Sequence, residues 1–306
     1  MNFFDRQYSP RVAYLLVVVA STIWGLLWIP LRAITDYGLH PFFVNALFLL
    51  LPALTLGVFA HKTIKDNMHH LNKCVLTGLF LGAGFMFYSI GLITASVSKT
   101  TVLFYLTPVW ATIFGLFFLD ERFTMQRAII VGVALAGCMM VMRLNPLNVV
   151  FEFADIYGFA SGLFWGLGSI CIRRYPEVHY IAITFWQYIV GTVVAIGAAF
   201  ALGVSLPTGE AVMNALPLAY IVGAIIFMPT VLIIFRVSQY VSPGLVGVLM
   251  LSEVVFAVVS AWWLLGEVLT IWQWVGMIAI LGTGTWLGLS ADDEPVSEDG
   301  PIAPAS

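Results

Sequence analysis

Apolar runs of about 20 residues repeat along the whole chain, and they limit the folds that it can adopt. A helix that crosses a membrane needs about 20 mostly apolar residues. Hydrophobic residues make up 61% of the chain and charged residues only 9%, against about 45–50% and about 25% in ordinary globular domains. The sequence therefore predicts an all-α polytopic membrane protein.

Polar and turn-forming breaks divide the chain into ten apolar segments, which we number as spans 1 to 10. They cover residues 12–34, 41–60, 73–93, 100–118, 127–143, 156–173, 180–202, 216–236, 243–264 and 272–290. Five of the ten spans fall in each half of the chain. We therefore expect ten transmembrane helices, arranged as two groups of five.

A short motif occurs once in each half of the chain. The pattern Leu-x-Glu-x-x-Thr occupies residues 119–124 and 265–270, at an offset of 146 residues, with its acids at Glu121 and Glu267. An odd number of spans per half puts the two copies on opposite faces of the membrane. The halves are therefore predicted to be inverted repeats around a central cavity, an arrangement typical of secondary transporters.

The positive charges test the span count and set the orientation. Ten of the 13 Lys and Arg residues fall on one side of the membrane, and only Arg32, Lys99 and Arg143 fall on the other. Cytoplasmic segments carry the excess of Lys and Arg in membrane proteins. Both termini are therefore predicted to be cytoplasmic.

The predicted organisation has five parts. Residues 1–11 form a cytoplasmic N-terminus, 12–143 the first five-helix repeat, 144–155 a connecting loop, 156–290 the second and inverted repeat, and 291–306 a tail. The tail is acidic, contains proline and has no apolar periodicity. Such a composition predicts disorder.

Several motifs recur in the same order in both halves. The first half contains Trp24-Gly25 with Arg32, then Tyr105-Leu106-Thr107-Pro108-Val109, and then Leu119-Asp120-Glu121-Arg122 with Thr124. The second half contains Trp165-Gly166 with Arg173-Arg174, then Leu251-Ser252-Glu253-Val254-Val255-Phe256-Ala257, and then Leu265-Gly266-Glu267 with Thr270. Over essentially its whole length the chain resembles the EamA-type transporters of the drug/metabolite transporter (DMT) superfamily. The resemblance implies a ten-helix basket with a central substrate cavity. It also implies export of small metabolites, such as amino acids or their derivatives, across the bacterial inner (plasma) membrane.

The chain departs from the family pattern at two positions. Asp120 precedes the first-half glutamate where glycine is common, and Val254 follows Glu253 where proline is common. The matching position of the first half does hold a proline, Pro108. The missing proline predicts that span 9 is straighter than span 4.

Glu253 is the strongest single candidate for the transport site. Of the 16 acidic residues, only Glu253 falls near the middle of a span. A carboxylate at that depth costs about 2.5–3.5 kcal/mol on insertion scales, so it faces a cavity or a partner. It is predicted to be a proton-coupling residue or the site of a substrate amine. The alternative is a structural hydrogen bond between helices.

Spans 1 and 6 each carry a stripe of residues at positions i, i+4 and i+8, which lie on one helix face. The stripes consist of Trp24, Trp28 and Arg32 in span 1 and of Trp165, Ser169 and Arg173 in span 6. Their recurrence in both halves favours a cavity wall, and helix packing or a membrane-interface face is the alternative. Arg32 lies on the side poor in positive charge, which suggests an outer gate or capture site.

Two tyrosines and two prolines complete the candidate set. Tyr88 in span 3 and Tyr105 in span 4 supply aromatic surface with a hydroxyl group. Pro108 and Pro229 are predicted to kink or hinge spans 4 and 8, because a proline removes one helical hydrogen bond. The alternative for each proline is a tolerated kink without a role in transport.

The remaining motifs limit the function classes. Cysteines occur singly and without ligand spacing, so we expect no metal and no cofactor. The chain contains no P-loop, and a net charge of −3 gives no reason to expect a nucleic-acid partner. The expected partners are a small-molecule substrate, the lipid bilayer and protons, with the chain as a monomer or homodimer.

The sequence thus favours a secondary active transporter that exports small metabolites and is not an enzyme. An importer, or a broad-specificity drug or cation exporter of the same fold, is the alternative within transport. A membrane-embedded enzyme would need a clustered nucleophile, base or metal triad at membrane depth, and the sequence places none there. A channel is the other alternative.

Overall fold

The chain is all-helical and polytopic. A computed structural model describes residues 9–94, 97–120, 124–143, 152–265 and 268–290, and no strand occurs among them. Glu121 and Glu267 lie outside the described residues, as does the predicted tail.

Eight helices in this part of the chain are long and apolar enough to cross a membrane, and they match spans 1–4 and 6–9. The eight are Pro10–Thr35, Pro41–Phe59, Met68–Gly91, Thr100–Phe118, Asp155–Arg174, Tyr180–Ala201, Gly209–Ser238 and Pro243–Leu264. The shorter apolar helix Met125–Val141 forms span 5, and the helix Ile271–Ser290 forms span 10. The total of ten crossings stays a prediction.

Side-chain caps fix where several helices begin. The threonines of the two Leu-x-Glu-x-x-Thr motifs cap spans 5 and 10: Thr124 Oγ1 accepts a hydrogen bond from Arg127 N at 3.3 Å, and Thr270 Oγ1 accepts one from Gln273 N at 3.4 Å. Such bonds satisfy amide groups that the first helical turn leaves unpaired. The duplicated motif therefore encodes the start of the last helix of each half.

Three spans are broken near their middle. Span 1 consists of Pro10–Trp24 and Trp28–Thr35, span 4 contains Val97–Phe104 and Thr107–Phe118, and span 9 consists of Pro243–Met250 followed by a second helix that starts at Ser252. At each break backbone bonds run to the third residue back, for example from Val109 N to Leu106 O at 2.9 Å. These tight turns mark hinges or strained sequence.

The absence of a proline after Glu253 does not keep span 9 continuous. Leu251 interrupts span 9 although no proline follows Glu253, and Val254 N bonds to Leu251 O at 3.0 Å. Gly25 in the break of span 1 lies against the Glu253 carbonyl, so closely that an added Cβ would stand 2.5 Å from that oxygen. Packing against the neighbouring broken span, rather than a proline ring, accompanies the interruption.

The main packing pairs among the spans correspond when every span is exchanged with the one five places on. Span 3 packs on spans 6 and 7, and span 8 correspondingly packs on spans 1 and 2. Span 4 packs on span 6, and span 9 on span 1, while spans 2 and 7, 4 and 9, and 5 and 10 pair with each other. Small residues permit the closest crossings, as where Gly82 meets Gly191 and Gly137 meets Gly276.

Candidate functional site

Glu253 occupies the first turn of the second half-helix of span 9 and is 5% exposed. The Tyr88 hydroxyl donates to Glu253 Oε1 at 3.4 Å, and the Tyr105 hydroxyl donates to Oε2. Tyr105 also lies 3.2 Å from the carbonyl of Met250, just before the break. Both donors to the carboxylate are neutral hydroxyl groups from the first half of the chain.

The two tyrosines that bond to this carboxylate belong to a continuous cluster of buried rings. We call it the aromatic cluster, and its members are Trp24, Phe48, Phe85, Tyr88, Phe104, Tyr105, Trp165, Phe227 and Phe235. These rings come from spans 1, 2, 3, 4, 6 and 8, so both halves contribute. Trp24 and Trp165, the paired tryptophans of spans 1 and 6, meet edge to face with ring centroids 5.7 Å apart.

A small space adjoins the aromatic cluster. It has room for about one water molecule, and the residues that line it are Phe104, Tyr105, Thr107, Trp165, Gly247 and Met250. Pockets for drug-sized ligands measure about 300–1,000 Å³. The site in this conformation is therefore too small for a typical metabolite, and binding requires the surrounding spans to move apart.

The structure brings five of the predicted cavity residues together: Trp24, Tyr88, Tyr105, Trp165 and Glu253. Trp24 is also fixed by a hydrogen bond from its Nε1 to Thr230 Oγ1 at 2.7 Å.

Three predicted cavity residues lie elsewhere or are engaged elsewhere. The break in span 1 separates Trp28 and Arg32 from Trp24, and the exposed Arg32 guanidinium lies over the Trp28 ring at 5.6 Å. Ser169 donates to the Trp165 carbonyl at 2.9 Å within its own helix. The expected stripe is thus interrupted in span 1. In span 6 the Ser169 hydroxyl is used for a hydrogen bond within its own helix.

The predicted hinge prolines both stand at helix starts. Pro108 is the second residue of Thr107–Phe118, directly after the break in span 4. Pro229 is the second residue of Met228–Ser238 and follows a π-helical segment, Ile221–Phe227. Wide helical turns of this kind are frequent at functional sites, and the hinge role of both prolines stays a prediction.

Sequence reasoning missed several residues of the site. Phe104, Thr107 and Met250 line the small space, and Thr230 holds Trp24. Thr107 had one available signal, because it is the first-half counterpart of Glu253 at the offset of 146 residues. The others lie in uniformly apolar runs, where a single sequence gives no indication of which side faces a cavity.

A second polar cluster ties the halves together at one end of the spans. Lys73 Nζ and Glu177 Oε1 form an ion pair at 2.5 Å, and Arg173 donates to the Gln239 carbonyl at 2.6 Å. Arg174 donates to the Phe118 carbonyl at the end of span 4. Partial burial raises the pKa of Glu177, but its hydrogen bonds and the charges of Lys73 and His70 lower it more, so the net shift is downward. The ion pair of Lys73 with Glu177 and the bond from Arg174 to Phe118 thus join the two halves at that end.

The comparison with known families now decides the class of protein. The model of the EamA-like transporter family matches twice, over residues 11–143 and 152–287. The chain belongs to the EamA-like transporter family. The double match agrees with the division into two halves that the repeated motif indicated.

Two curated relatives are also transporters by name. An uncharacterized transporter, YoaV, from Bacillus subtilis (strain 168) is 22% identical over 194 residues, which cover 60% of this chain and 65% of the relative. An S-adenosylmethionine uptake transporter from Rickettsia bellii (strain RML369-C) is 28% identical over 159 residues, 52% of each protein. The chain thus matches between one half and two thirds of the length of these family relatives.

A solved crystal structure shares the fold of this EamA-like protein. It superimposes with a TM-score of 0.70, covering 92% of this chain and 98% of the other, at 16% sequence identity. Identity this low supports the fold alone.

Proposed function

We propose that this EamA-like protein is a proton-coupled secondary transporter that exports small metabolites, with amino acids or their derivatives as the leading substrate class. The observation that carries the proposal is the buried Glu253 carboxyl, held between Tyr88 and Tyr105 where the broken spans 4 and 9 meet. We place the protein in the bacterial inner membrane with both termini cytoplasmic.

The packing of the spans supports an alternating-access mechanism. The main packing pairs among the spans correspond when spans 1–5 are exchanged with spans 6–10. If the halves are inverted repeats, exchanging their conformations produces a second state that opens to the opposite side at similar energy. The small central space fits a conformation that does not admit a substrate until the spans move apart.

The surroundings of Glu253 support proton coupling. An ionised carboxylate in an apolar interior is unfavourable unless a cation compensates it. The two hydroxyl donors stabilise the charge without neutralising it. A proton and a positively charged substrate group therefore compete for the same carboxylate, and this competition produces exchange transport.

The uptake transporter among the relatives supports a second candidate, import by the same site. Direction in a coupled transporter depends on the ion gradients and on which end opens to which compartment. A transport assay with a defined orientation separates the two candidates.

The test uses purified full-length protein in proteoliposomes with an imposed pH gradient, and radiolabelled amino acids and S-adenosylmethionine as substrates. We expect substrate movement to follow the pH gradient in the wild type. Glu253→Gln should lose the gradient dependence, whereas Glu210→Gln, which neutralises an exposed acid in a helix start, should keep it. Full gradient-dependent transport by Glu253→Gln would show that coupling does not pass through this residue.

A further inference from the structure

We propose that Tyr105 transmits the protonation state of Glu253 to the break in span 9, because its hydroxyl hydrogen moves between the Glu253 carboxylate and the Met250 carbonyl. Tyr105 is thus a positioning residue that acts through Glu253. The inference rests on the proposed function, since it assigns a further residue to the proposed coupling.

Tyr105 stands in one broken span and reaches both sides of the break in another. It lies between the half-helices Val97–Phe104 and Thr107–Phe118 of span 4 and is 1% exposed. Its hydroxyl contacts Met250, the last residue of the first half-helix of span 9. The same hydroxyl contacts Glu253, in the first turn of the second half-helix. One side chain therefore joins the two half-helices of span 9.

The Met250 carbonyl does not have its ordinary helical partner. In an uninterrupted helix it would accept a hydrogen bond from the amide of Val254, four residues further on. Val254 N bonds instead to the Leu251 carbonyl at 3.0 Å. The Tyr105 hydroxyl lies 3.2 Å from the Met250 carbonyl oxygen, in position to donate to it. A buried carbonyl without a donor is costly, so this bond stabilises the end of the half-helix.

The two contacts of Tyr105 compete with each other. A tyrosine hydroxyl carries one hydrogen, so it cannot donate fully to both acceptors. When Glu253 is ionised, its carboxylate is the stronger acceptor and takes the hydrogen. When Glu253 is protonated, its carboxyl group donates to the Tyr105 oxygen, and the hydroxyl hydrogen turns to Met250. The Met250 carbonyl is therefore bonded to Tyr105 in the protonated state only.

Tyr88 provides a matched comparison. Its hydroxyl lies 3.4 Å from Glu253 Oε1 and 3.4 Å from Thr101 Oγ1. Both tyrosines donate to the same carboxylate, but the second partner of Tyr88 belongs to span 4 and not to span 9. Tyr88→Phe therefore removes one donor to Glu253 and leaves the contact of Tyr105 with Met250 in place.

Other groups near Glu253 need a control of their own. Titratable groups in the described part of the chain that interact electrostatically with the carboxylate are Tyr88, Tyr105 and Cys138, from spans 3, 4 and 5. Spans 1 and 10 also pack against the second half-helix of span 9, and their residues 15–31 and 271–290 include no titratable side chain. Glu253→Gln therefore decides whether a pH-dependent change at the break comes from this carboxylate.

Hydrogen–deuterium exchange of the purified full-length protein in lipid nanodiscs tests the proposal. Peptides that cover Leu251 and Val254 report on the break, and their exchange is measured at pH 5 and pH 9 and corrected for the intrinsic pH dependence of amide exchange. In the wild type we expect the corrected exchange to be about two- to tenfold slower at pH 5, the effect of one neutral hydrogen bond.

Three variants complete the design. Glu253→Gln and Tyr105→Phe should lose the difference between the two pH values, and Tyr88→Phe should keep it, with melting temperature and gel-filtration profile as checks on folding. If Tyr105→Phe does not fold, infrared spectra of protein with a heavy carbon isotope at the methionine carbonyls replace it. The Met250 band, identified by its absence in Met250→Leu, should move to lower frequency at pH 5, and an unmoved band would contradict the proposal.

The role of Tyr105 is overturned if exchange at the break in the wild type does not change with pH, or if Tyr105→Phe keeps the change. Gradient-driven transport through Glu253 would then leave the proposed function standing. Conversely, a pH-dependent break that requires Tyr105, in a protein without gradient-driven transport, contradicts the proposed coupling and leaves the assignment of Tyr105 in place.

Discussion

Replacing Gly25 by alanine should disturb the contact between spans 1 and 9 and, through it, the position of Glu253. An added Cβ would stand 2.5 Å from the Glu253 carbonyl oxygen, 2.9 Å from Ala257 N and 3.2 Å from Phe256 Cβ. Comfortable contacts between such atoms begin at about 3.5 Å. The first two neighbours are backbone atoms, so no side chain can rotate to make room, and the spans must separate by roughly 1 Å.

Overpacking of this kind costs about 1–3 kcal/mol. For proteins of moderate size each kcal/mol lowers the melting temperature by about 2–4 °C, so Gly25→Ala should melt several degrees below the wild type. The separation also moves Glu253 away from Tyr88 and Tyr105, which hold it from spans 3 and 4. We therefore expect slower gradient-driven transport in the fraction of protein that folds.

The matched control is Gly197→Ala. Gly197 lies within the helix Tyr180–Ala201, and an added Cβ there would meet nothing within 4 Å. This substitution should leave transport at the wild-type level and the melting temperature at or slightly above it, because alanine favours a helix more than glycine does. Equal melting temperatures for Gly25→Ala and Gly197→Ala would refute the argument that the close contact of spans 1 and 9 is required.

Two further predictions concern the ends of the spans. The pKa of Glu177 lies below its ordinary value of 4.5, so its ion pair with Lys73 adds stability above that pH and loses it as the pH falls. Because both side chains are partly exposed, Glu177→Gln should lower the free energy of unfolding at pH 7 by less than about 1 kcal/mol. Thermal melts should show the difference from the wild type shrinking as the pH falls below 4.5. Arg143→Met removes bonds to Gln273 Oε1 at 2.9 Å and to the Val268 carbonyl at 2.6 Å. We expect thermal melts to show a loss of about 1 kcal/mol in the free energy of unfolding, with gradient-dependent transport retained, and loss of the gradient dependence would contradict the assignment of coupling to Glu253.

Much of the fold follows from the sequence because the signals are strong and local. Apolar length predicted the helices, and the eight long ones coincide with the expected spans. The repeated threonines predicted equivalent structures in the two halves, and Thr124 and Thr270 cap equivalent helices. A buried acid in an apolar run is expensive, so Glu253 could be singled out from the sequence alone.

There is a physical reason why the details of the site could not be predicted from the sequence. Whether Trp28 continues the face of Trp24 depends on a helix break at Gly25 to Leu27. Pro30 favours this break because it cannot bond to the Leu26 carbonyl, and Gly25 in the break packs closely against span 9. The partners of Glu253 come from spans 3 and 4, far away in the chain. Contacts between residues far apart in the chain determine the site. A single sequence indicates only which residues are close along the chain.

The interruption of span 9 has a consequence for how the two crossing spans can move. Pro108 has no amide hydrogen, so span 4 cannot form a complete ladder of helical hydrogen bonds in any state of the protein. Every residue from Leu249 to Val255 retains its amide hydrogen, so span 9 can become one continuous helix once its neighbours release it. Both spans are interrupted here, yet a proline prevents a continuous helix only in span 4. Straightening of span 9 would rotate Glu253 relative to Tyr88 and Tyr105. The conformation of span 9 would then be coupled to release of the proton or substrate group that the carboxylate binds.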